Sequence, residues 1–265
     1  MSPLAASLEG KVVLVTGGNS GIGAAMATAL AEAGAAVAIW GRRGDRNDAV
    51  VSGLTAAGAM AVGRVVDVSD ETAVIAAAEE IVGELGRIDG VIACAGFARR
   101  GSSVLDCDQG DFEAVIDVNL FGALYALREG MRHMVRRAEG GEPGGSLVAI
   151  GSLLTHTGMT GLASYGIAKS GLQGLVRNLA VEGGPHGIRA NLVCPGYIET
   201  PPSEARASDP DFPVTRMLRE SSPAGRWGRP EDLQGIACYL ISDASAYHSG
   251  DTITIDGGLL ARTPQ

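Results

Sequence analysis

The stretch "KVVLVTGGNSGIG" (residues 11–23) decides the fold expected for this chain. It begins as a short β-branched run, ends in glycines, and leads into an alanine-rich segment, 21–35, with the composition of a helix. A strand that passes through a glycine turn directly into a helix is the first half of a βαβ unit. The glycine spacing is G-x-x-x-G-x-G, which differs from G-x-G-x-x-G and from the phosphate-loop pattern, so by itself it also fits a plain turn.

The same alternation of short apolar runs and longer helical segments continues along the chain. The runs are nearly continuous in apolar residues, as is typical of parallel strands buried on both faces. We therefore predict one α/β domain over 1–265 with a doubly wound parallel sheet. After the first strand, strands are predicted at 36–43, 61–70, 88–96, 146–152, 188–196 and 251–258, and helices at 49–59, 71–86, 111–138 and 163–184.

Composition excludes several classes of protein. The 265 residues carry a net charge of −9, which argues against binding to nucleic acid or to an anionic membrane surface. The four cysteines form no C-x-x-C pair, so neither a disulfide framework nor a metal site is expected. The N-terminus does not resemble a signal peptide, and no apolar run is long enough to span a bilayer. These features predict a cytoplasmic protein.

The glycines between the first strand and the first helix have distinct expected roles. Gly17 makes the turn, Gly21 lets the backbone approach a pyrophosphate, and Gly23 lets the helix pack closely on the strand. The helix then presents free N–H groups and the positive end of its dipole to the phosphates. We therefore predict a dinucleotide site that also includes Asn19, Ser20 and Ile22.

The end of the second strand predicts which dinucleotide is bound. An NAD site places a carboxylate there, on the ribose 2′-hydroxyl, but this chain has Gly41 followed by Arg42 and Arg43. Guanidinium groups suit the 2′-phosphate of NADP. The alternative is a pair of solvated arginines, and the nearby Asp45 leaves NAD as a second candidate.

The ends of the next two strands are expected to hold the adenosine. Asp67 and Val68 follow the third strand and are placed to flank the adenine. Ala95 and Gly96, in "ACAG" (93–96), lie along the adenosine side of the predicted cleft.

Ser152, Tyr165 and Lys169 form a candidate catalytic group. Ser152 follows the fifth strand, at the sheet edge where open α/β folds bind ligands. Tyr165 and Lys169 are four residues apart, which places them on one face of a helix. An ammonium beside a phenol is expected to lower the phenol's pKa from its usual value near 10, making Tyr165 a usable acid or base. Alone, Y-x-x-x-K more often reflects packing and a solvated charge.

Taken together, the motifs resemble a known family. "TGGNSGIG", "ACAG", "VNLFG", "SYGIAK", "CPGYIET" and "IDGG" are similar to those of the short-chain dehydrogenases/reductases, over about residues 8–259. Within that family the chain most resembles 3-oxoacyl-carrier-protein reductases and sugar or polyol dehydrogenases. The resemblance implies a single Rossmann-like domain with a seven-stranded parallel sheet. It also implies hydride transfer between a nicotinamide and a carbonyl or alcohol carbon.

The resemblance also assigns further site residues. The family's active-site asparagine falls on Asn119, where it would help hold a water that links Lys169 to solvent. Asn119 is otherwise interpreted as a polar residue at a kink in a long helix. The nicotinamide side of the site would be formed by Pro195, Gly196, Ile198 and Thr200. One departure is "ACAG" in place of the common "NNAG", which removes two asparagine side chains.

The substrate side is predicted less directly. Besides Ser152, its expected lining is His156, Met159, Leu162 and Tyr197. The segment 198–225 is rich in proline, serine and charge, and is expected to form an irregular lid. The family resemblance also implies a homotetramer that pairs the helices at 111–135 and 163–182.

The leading hypothesis is an NADP(H)-dependent oxidoreductase of a small-molecule carbonyl or secondary alcohol, with Tyr165 as general acid/base. One alternative is an NAD-preferring sugar or polyol dehydrogenase. Another, of a different class, is a non-catalytic dinucleotide-binding sensor, which the intact Asn119, Ser152, Tyr165 and Lys169 disfavour.

Overall fold

Seven parallel strands form one sheet in the computed structural model, which describes residues 7–101, 103–201 and 203–261. The spatial order is β3-β2-β1-β4-β5-β6-β7, and every neighbouring pair is parallel. The predicted fold class is thereby confirmed. The strands are β1 Val12–Thr16, β2 Ala36–Gly41, β3 Ala61–Val65, β4 Gly90–Ala93, β5 Gly145–Ile150, β6 Ile188–Pro195 and β7 Thr252–Ile255.

Helices cover both faces of this sheet. The alternating side chains of β1 show why: Val12 and Leu14 enter one core, and Val13 and Val15 enter the other. The first core is closed by α3, α5 and α6, and the second by α1, α2 and α9. The helices are α1 Gly21–Glu32, α2 Gly44–Ala56, α3 Glu71–Leu85, α4 Gln109–Ile116, α5 Gly122–Glu139, α6 Ala163–Gly183, α7 Glu204–Ser208, α8 Pro213–Ser221 and α9 Gln234–Ile241.

Two of the predicted helices differ from those observed. The segment predicted as one helix at 111–138 is divided by a π-helical turn, Asp117–Phe121, between α4 and α5. The helix predicted at 49–59 begins earlier, at Gly44, because the polar residue Asn47 is buried in its first turns. Neither difference is visible in the apolar spacing on which the prediction depended.

The segment 198–225 is more regular than predicted. It contains the short helices α7 and α8, so the expectation of an irregular stretch is wrong. Pro213 occupies the first turn of α8, where its missing N–H costs nothing. The Thr215 hydroxyl donates to the carbonyl of Arg206 at 2.8 Å and accepts from Trp227 Nε1 at 2.9 Å, which ties the two helices to the chain that follows.

The arrangement also locates the crevice of the fold. The chain runs outward from β1 to β3 on one side and from β4 to β7 on the other. Ligands of open parallel sheets bind outside the carboxyl ends of the strands at such a reversal. Within the described residues, none of the helices is both long and apolar enough to cross a bilayer.

Candidate active site

A cleft of about 780 Å³ opens at the carboxyl edge of the sheet, where the strand order reverses. Every residue predicted to hold the cofactor lines it, together with Ser152. The predicted lining residues are Gly17, Asn19, Ser20, Gly21, Ile22, Gly23, Arg42, Arg43, Asp67, Val68, Ala95, Gly96, Asn119, Tyr165, Lys169, Pro195, Gly196, Ile198 and Thr200.

The glycine loop has the shape of a phosphate cradle. Gly17 adopts a positive φ of 65°, and a Cβ there would lie 2.9 Å from the backbone of Ala95. A Cβ on Gly23 would lie 2.8 Å from the carbonyl carbon of Gly17. Ser20 is the N-cap of α1 but makes no side-chain capping hydrogen bond, so the first N–H groups of the helix face the cleft without a cap. The loop therefore fits a pyrophosphate.

Positive charge lies at the far end of the cleft, after β2. The Arg42 side chain is 65% exposed, and its guanidinium is 4.0 Å from the carboxylate of Asp67. Asp67 is held mainly by Ser69, whose hydroxyl donates to it at 2.7 Å and lowers its pKa. Arg43 is the N-cap of α2, and its side chain makes no capping hydrogen bond. Both guanidinium groups are thus available to an anion at this end.

The candidate catalytic side chains come from β5 and α6. Ser152 follows β5 in an extended conformation, and its Oγ accepts a hydrogen bond from the backbone N–H of Leu154 at 3.2 Å. Lys169 is 4% exposed, and its Nζ donates to the carbonyl of Ile150 at 2.8 Å. The same Nζ is 5.5 Å from the centre of the Tyr165 ring. The i, i+4 spacing on α6 therefore brings both groups to one wall of the cleft.

Burial, rather than Lys169, dominates the titration of Tyr165. It raises the pKa of the Tyr165 phenol, while the Ser152 hydroxyl, as a hydrogen-bond partner, acts in the opposite direction. Burial also lowers the pKa of Lys169 to about 8, so its ammonium is itself easily neutralised. The expectation that Lys169 lowers the pKa of Tyr165 is therefore wrong for the protein alone.

The lowered pKa of Lys169 predicts a pH-dependent stability. Between about pH 8 and 10.5 the unfolded chain keeps a proton on Lys169 that the folded protein has released. The contribution of Lys169 to the free energy of unfolding therefore rises with pH across this range, and comparison with a variant that lacks the amine separates it from the contributions of other groups. Relative to Lys169→Met, we expect wild type to gain on the order of 3 kcal/mol, measured by urea unfolding of the cofactor-free proteins. A difference between the two proteins that stays constant over the range would contradict this.

Asn119 lies in the π-helical turn and is completely buried. Its amide donates to the carbonyls of Phe97 at 2.8 Å and Val115 at 2.9 Å, which joins the loop after β4 to α4. Its Oδ1 has no hydrogen-bond partner among the described residues, and a Cβ on Gly96 would lie 2.5 Å from it. π-turns of this kind are frequent at functional sites.

Comparison with known proteins identifies the family. Residues 16–260 match a family model described as enoyl-(acyl carrier protein) reductase. A solved short-chain dehydrogenase/reductase from Mycobacterium marinum superposes with a TM-score of 0.90 at 34% identity, covering 98% of this chain and all of the other. The chain belongs to the short-chain dehydrogenase/reductase family. It is an oxidoreductase of that family.

Its relatives are named for several different substrates. A 2-dehydro-3-deoxy-D-gluconate 5-dehydrogenase of Dickeya dadantii is 34% identical over 97% of this chain and 98% of that protein. An acetoacetyl-CoA reductase of a Synechocystis species is 35% identical over 96% and 98%. A gluconate 5-dehydrogenase of Burkholderia cenocepacia, solved with NADP and tartrate, has a TM-score of 0.91 at 32% identity, covering 99% of this chain and all of that one. The family is therefore settled more firmly than the substrate.

Apart from Ser152, the residues predicted for the substrate side of this oxidoreductase do not line the main cleft. His156 Nε2 is 3.4 Å from the Thr254 hydroxyl. The ring of Tyr197 packs edge-on against Trp227, with centroids 5.6 Å apart, and Tyr197 lines a separate pocket of about 220 Å³ with Leu218. Leu162 precedes α6 as its N-cap, and the sulfur of Met159 contacts the guanidinium of Arg100.

Two residues near the cleft carried no sequence signal. Arg100 lies in the loop after β4, and its Nη2 is 3.6 Å from the sulfur of Met159. Burial raises the pKa of the Tyr197 phenol, and the positive charge of Arg100 acts in the opposite direction. Asn47, in α2, contacts both the glycine loop and the end of β2. The motifs place neither residue, because their contacts depend on how loops and helices fold back over the sheet.

Proposed function

We propose that this protein catalyses NADP(H)-dependent interconversion of a ketone and a secondary alcohol, with Tyr165 as general acid/base. The observation that carries the proposal is the single cleft lined by the glycine loop, Asn119, Ser152, Tyr165 and Lys169. A buried lysine and a buried asparagine share this cleft with a tyrosine at the ligand-binding edge of the sheet. Packing alone gives no reason to bury these polar groups there, whereas proton transfer does.

The residues present suit NADP. The glycine loop would hold the pyrophosphate, and Arg42 and Arg43 the 2′-phosphate, with no carboxylate at Gly41 to oppose it. When bound, NADPH supplies the hydride, or NADP⁺ accepts it. The similar gluconate 5-dehydrogenase of Burkholderia cenocepacia, and a putative one of Beutenbergia cavernae, were crystallised with NADP.

The protein's own groups account for the proton. In reduction, the Tyr165 hydroxyl donates a proton to the substrate carbonyl oxygen, and the Ser152 hydroxyl hydrogen-bonds the same oxygen. The raised pKa of Tyr165 keeps the phenol protonated at neutral pH, which is the form that reduction requires. Lys169 and Asn119 would return a proton to Tyr165 from solvent. In oxidation, each transfer runs in reverse.

Binding and turnover together test this function. Binding to the purified protein should change the fluorescence of NADPH from its value in free solution. The protein should also oxidise NADPH with a carbonyl substrate such as a β-keto ester, or reduce NADP⁺ with a sugar or hydroxy acid, for some member of a panel of these compounds. Binding without turnover on the whole panel would support the sensor hypothesis instead. No binding of either dinucleotide would refute the proposal.

Arg42→Ala tests the choice of cofactor. Losing a charge-assisted contact to the 2′-phosphate should weaken NADPH binding roughly 10- to 100-fold and leave NADH binding unchanged. Arg46→Ala is the matched control, because Arg46 is three residues into α2 and does not line the cleft. An unchanged NADPH preference in Arg42→Ala would refute the role of Arg42, and a preference of wild type for NADH would favour the NAD-preferring sugar or polyol dehydrogenase.

We also propose a class of substrate, the hydroxy acids. Arg100 lies beside Tyr197 and Met159 on the substrate side, and no carboxylate of the described residues lies within 4.0 Å of it. Its neighbour Arg99, in contrast, pairs with Asp111. An arginine without a carboxylate partner, beside two residues assigned to the substrate side, suits a substrate carboxylate. The gluconate dehydrogenases among the relatives are named for such acids.

Arg100→Gln is therefore expected to raise the KM for an accepted hydroxy acid by roughly tenfold or more and to leave the KM for a neutral polyol unchanged. Arg99→Gln is the control, because that guanidinium is already paired. Steady-state kinetics on an acid and its uncharged analogue make the comparison. Equal effects of Arg100→Gln on both substrates would contradict the carboxylate assignment.

The remaining features of the proposal concern the lid, the assembly and the compartment. Segment 198–225, with α7 and α8, is proposed to cover the substrate. A homotetramer is supported by exposed apolar side chains on the two helical segments expected to pair, Phe121 at 41% and Ile167 at 54%. A free, exposed thiol at Cys107 suits the reducing cytoplasm.

A further inference from the structure

The end of β2 is occupied in an unexpected way. A Cβ at Gly41 would lie 2.7 Å from Asn19 Cγ and 2.7 Å from Asn47 Oδ1, and closer still to Asn19 Nδ2. Gly41 is not among the glycines with positive φ, so backbone conformation does not require a glycine here. The surrounding space requires a glycine, because two asparagine side chains already occupy the position of a Cβ.

The two asparagines form one hydrogen-bonded unit with both strands beneath them. Asn47 is 1% exposed. Its amide nitrogen donates to the carbonyls of Gly41 at 3.0 Å and Arg64 at 2.8 Å, at the ends of β2 and β3. Those two acceptors determine which end of the amide is the oxygen, and that oxygen accepts from Asn19 Nδ2 at 2.7 Å. Asn47 thus uses both amide hydrogens and its oxygen.

This network makes Asn19 hard to displace. An Asn19 side chain alone would swing aside at little cost, since it lies at the cleft surface. It is held by Asn47, however, and Asn47 cannot turn without taking its own buried amide hydrogens away from the carbonyls of Gly41 and Arg64. The cost of moving the pair is therefore the cost of breaking a satisfied buried network.

We propose that Asn19 and Asn47 form a cofactor-specificity element, which keeps a carboxylate side chain out of the end of β2. A carboxylate there would bind a ribose 2′-hydroxyl and repel a 2′-phosphate. The pair replaces it with a neutral amide beside Arg42, which lines the same end of the cleft. Asn47 is the positioning residue and Asn19 the blocking one. This inference rests on the proposed use of NADP.

The element predicts that Gly41→Asp alone will not create an NAD enzyme. The aspartate would repel the 2′-phosphate and weaken NADPH binding, but Asn19 would keep it from the position that binds NADH. Gly41→Asp combined with Asn19→Ala removes the closest of the contacts to a Cβ at this position and leaves the one to Asn47 Oδ1 at 2.7 Å. NADH should then bind roughly tenfold tighter than to Gly41→Asp alone. Fluorescence titration measures the dissociation constants of NADPH and NADH for wild type, both single variants and the double variant. These values complete a double-mutant cycle.

Asn47→Ala tests the positioning role separately. Added to Gly41→Asp, it frees Asn19 to move away from the aspartate, so the ratio of the NADPH and NADH dissociation constants should move several-fold further toward NADH than in Gly41→Asp alone. Asn178→Ala, on the exposed face of α6, should leave the ratio unchanged. A merely structural role would weaken both cofactors in parallel and preserve the ratio, which would overturn the positioning role.

The outcomes separate this inference from the function on which it rests. Wild type that prefers NADH would refute the proposed use of NADP and this inference with it. Wild type that prefers NADPH, with Gly41→Asp alone binding NADH as tightly as the double variant, would overturn only the blocking role of Asn19.

Discussion

Replacing Tyr165 by phenylalanine is expected to lower kcat for reduction of an accepted ketone by roughly 10²- to 10⁴-fold. The substitution removes one oxygen and retains the ring that packs 5.5 Å from Lys169 Nζ, so the fold and the cleft should survive. What is lost is the proton donor. The raised pKa of the Tyr165 phenol makes it a protonated group at neutral pH, and the ring of the variant has no proton to give.

The effect should appear in single-turnover measurements with NADPH bound, where binding and release do not limit the rate. Tyr239→Phe is the control, since its hydroxyl lies on α9, 3.3 Å from His248 Nδ1. It does not line the cleft. Retention of more than about a tenth of wild-type kcat by Tyr165→Phe would show that another group or a water supplies the proton.

Replacing Asp89 by alanine is expected to destabilise the protein by about 3–5 kcal/mol. Asp89 is 6% exposed at the amino edge of β4, opposite the cleft. Its carboxylate accepts from the backbone N–H of Val12 at 3.0 Å and from Arg87 Nη2 at 2.7 Å, and Arg137 Nη2 is 3.3 Å away. Removing it leaves the first N–H of β1 without its acceptor and takes the buried carboxylate away from two guanidinium groups. Arg87 then keeps the exposed Glu142 carboxylate, and Arg137 keeps backbone carbonyls.

Asp243→Ala supplies the comparison for Asp89. Asp243 pairs with Lys11 at 3.1 Å, but its side chain is 90% exposed, so its loss should cost no more than about 1 kcal/mol. Urea unfolding of both variants measures the difference, and NADPH binding below the transition should be unchanged in each. Equal destabilisation by the two substitutions would show that burial adds nothing at Asp89.

The main features of fold and cleft follow from local sequence patterns. The strands of a sheet buried on both faces are continuous apolar runs, and each polar or glycine residue that ends one must lie at the same edge. For that reason the glycine loop after β1 and Ser152 after β5 are predictable members of one cleft, which Pro195, assigned through the family resemblance, also lines. The pair Tyr165 and Lys169 followed from helical spacing alone.

Other features depend on contacts between distant segments. The π-turn at Asn119 is set by bonds to Phe97, 22 residues away, and to Val115 one turn earlier. The helices α7 and α8 are held by Thr215 and Trp227, whose pairing no periodicity reveals. On the substrate side, every predicted residue except Ser152 lies outside the cleft, because loops such as that of Arg100 arrange this region.

By itself, the sequence determined a doubly wound parallel sheet, its glycine loop and the placing of the candidate catalytic side chains, because strand burial and helix spacing are local properties. Only the tertiary structure decided the direction of the pKa shifts in the cleft and the space available at the end of β2. Burial, not the neighbouring Lys169, sets the direction in which the pKa of Tyr165 moves. Gly41 is a glycine because Asn19 and Asn47, one from the glycine loop and one from α2, meet above it. Desolvation and excluded volume depend on every atom that folds over a site, so neither can be inferred from residues adjacent in the chain.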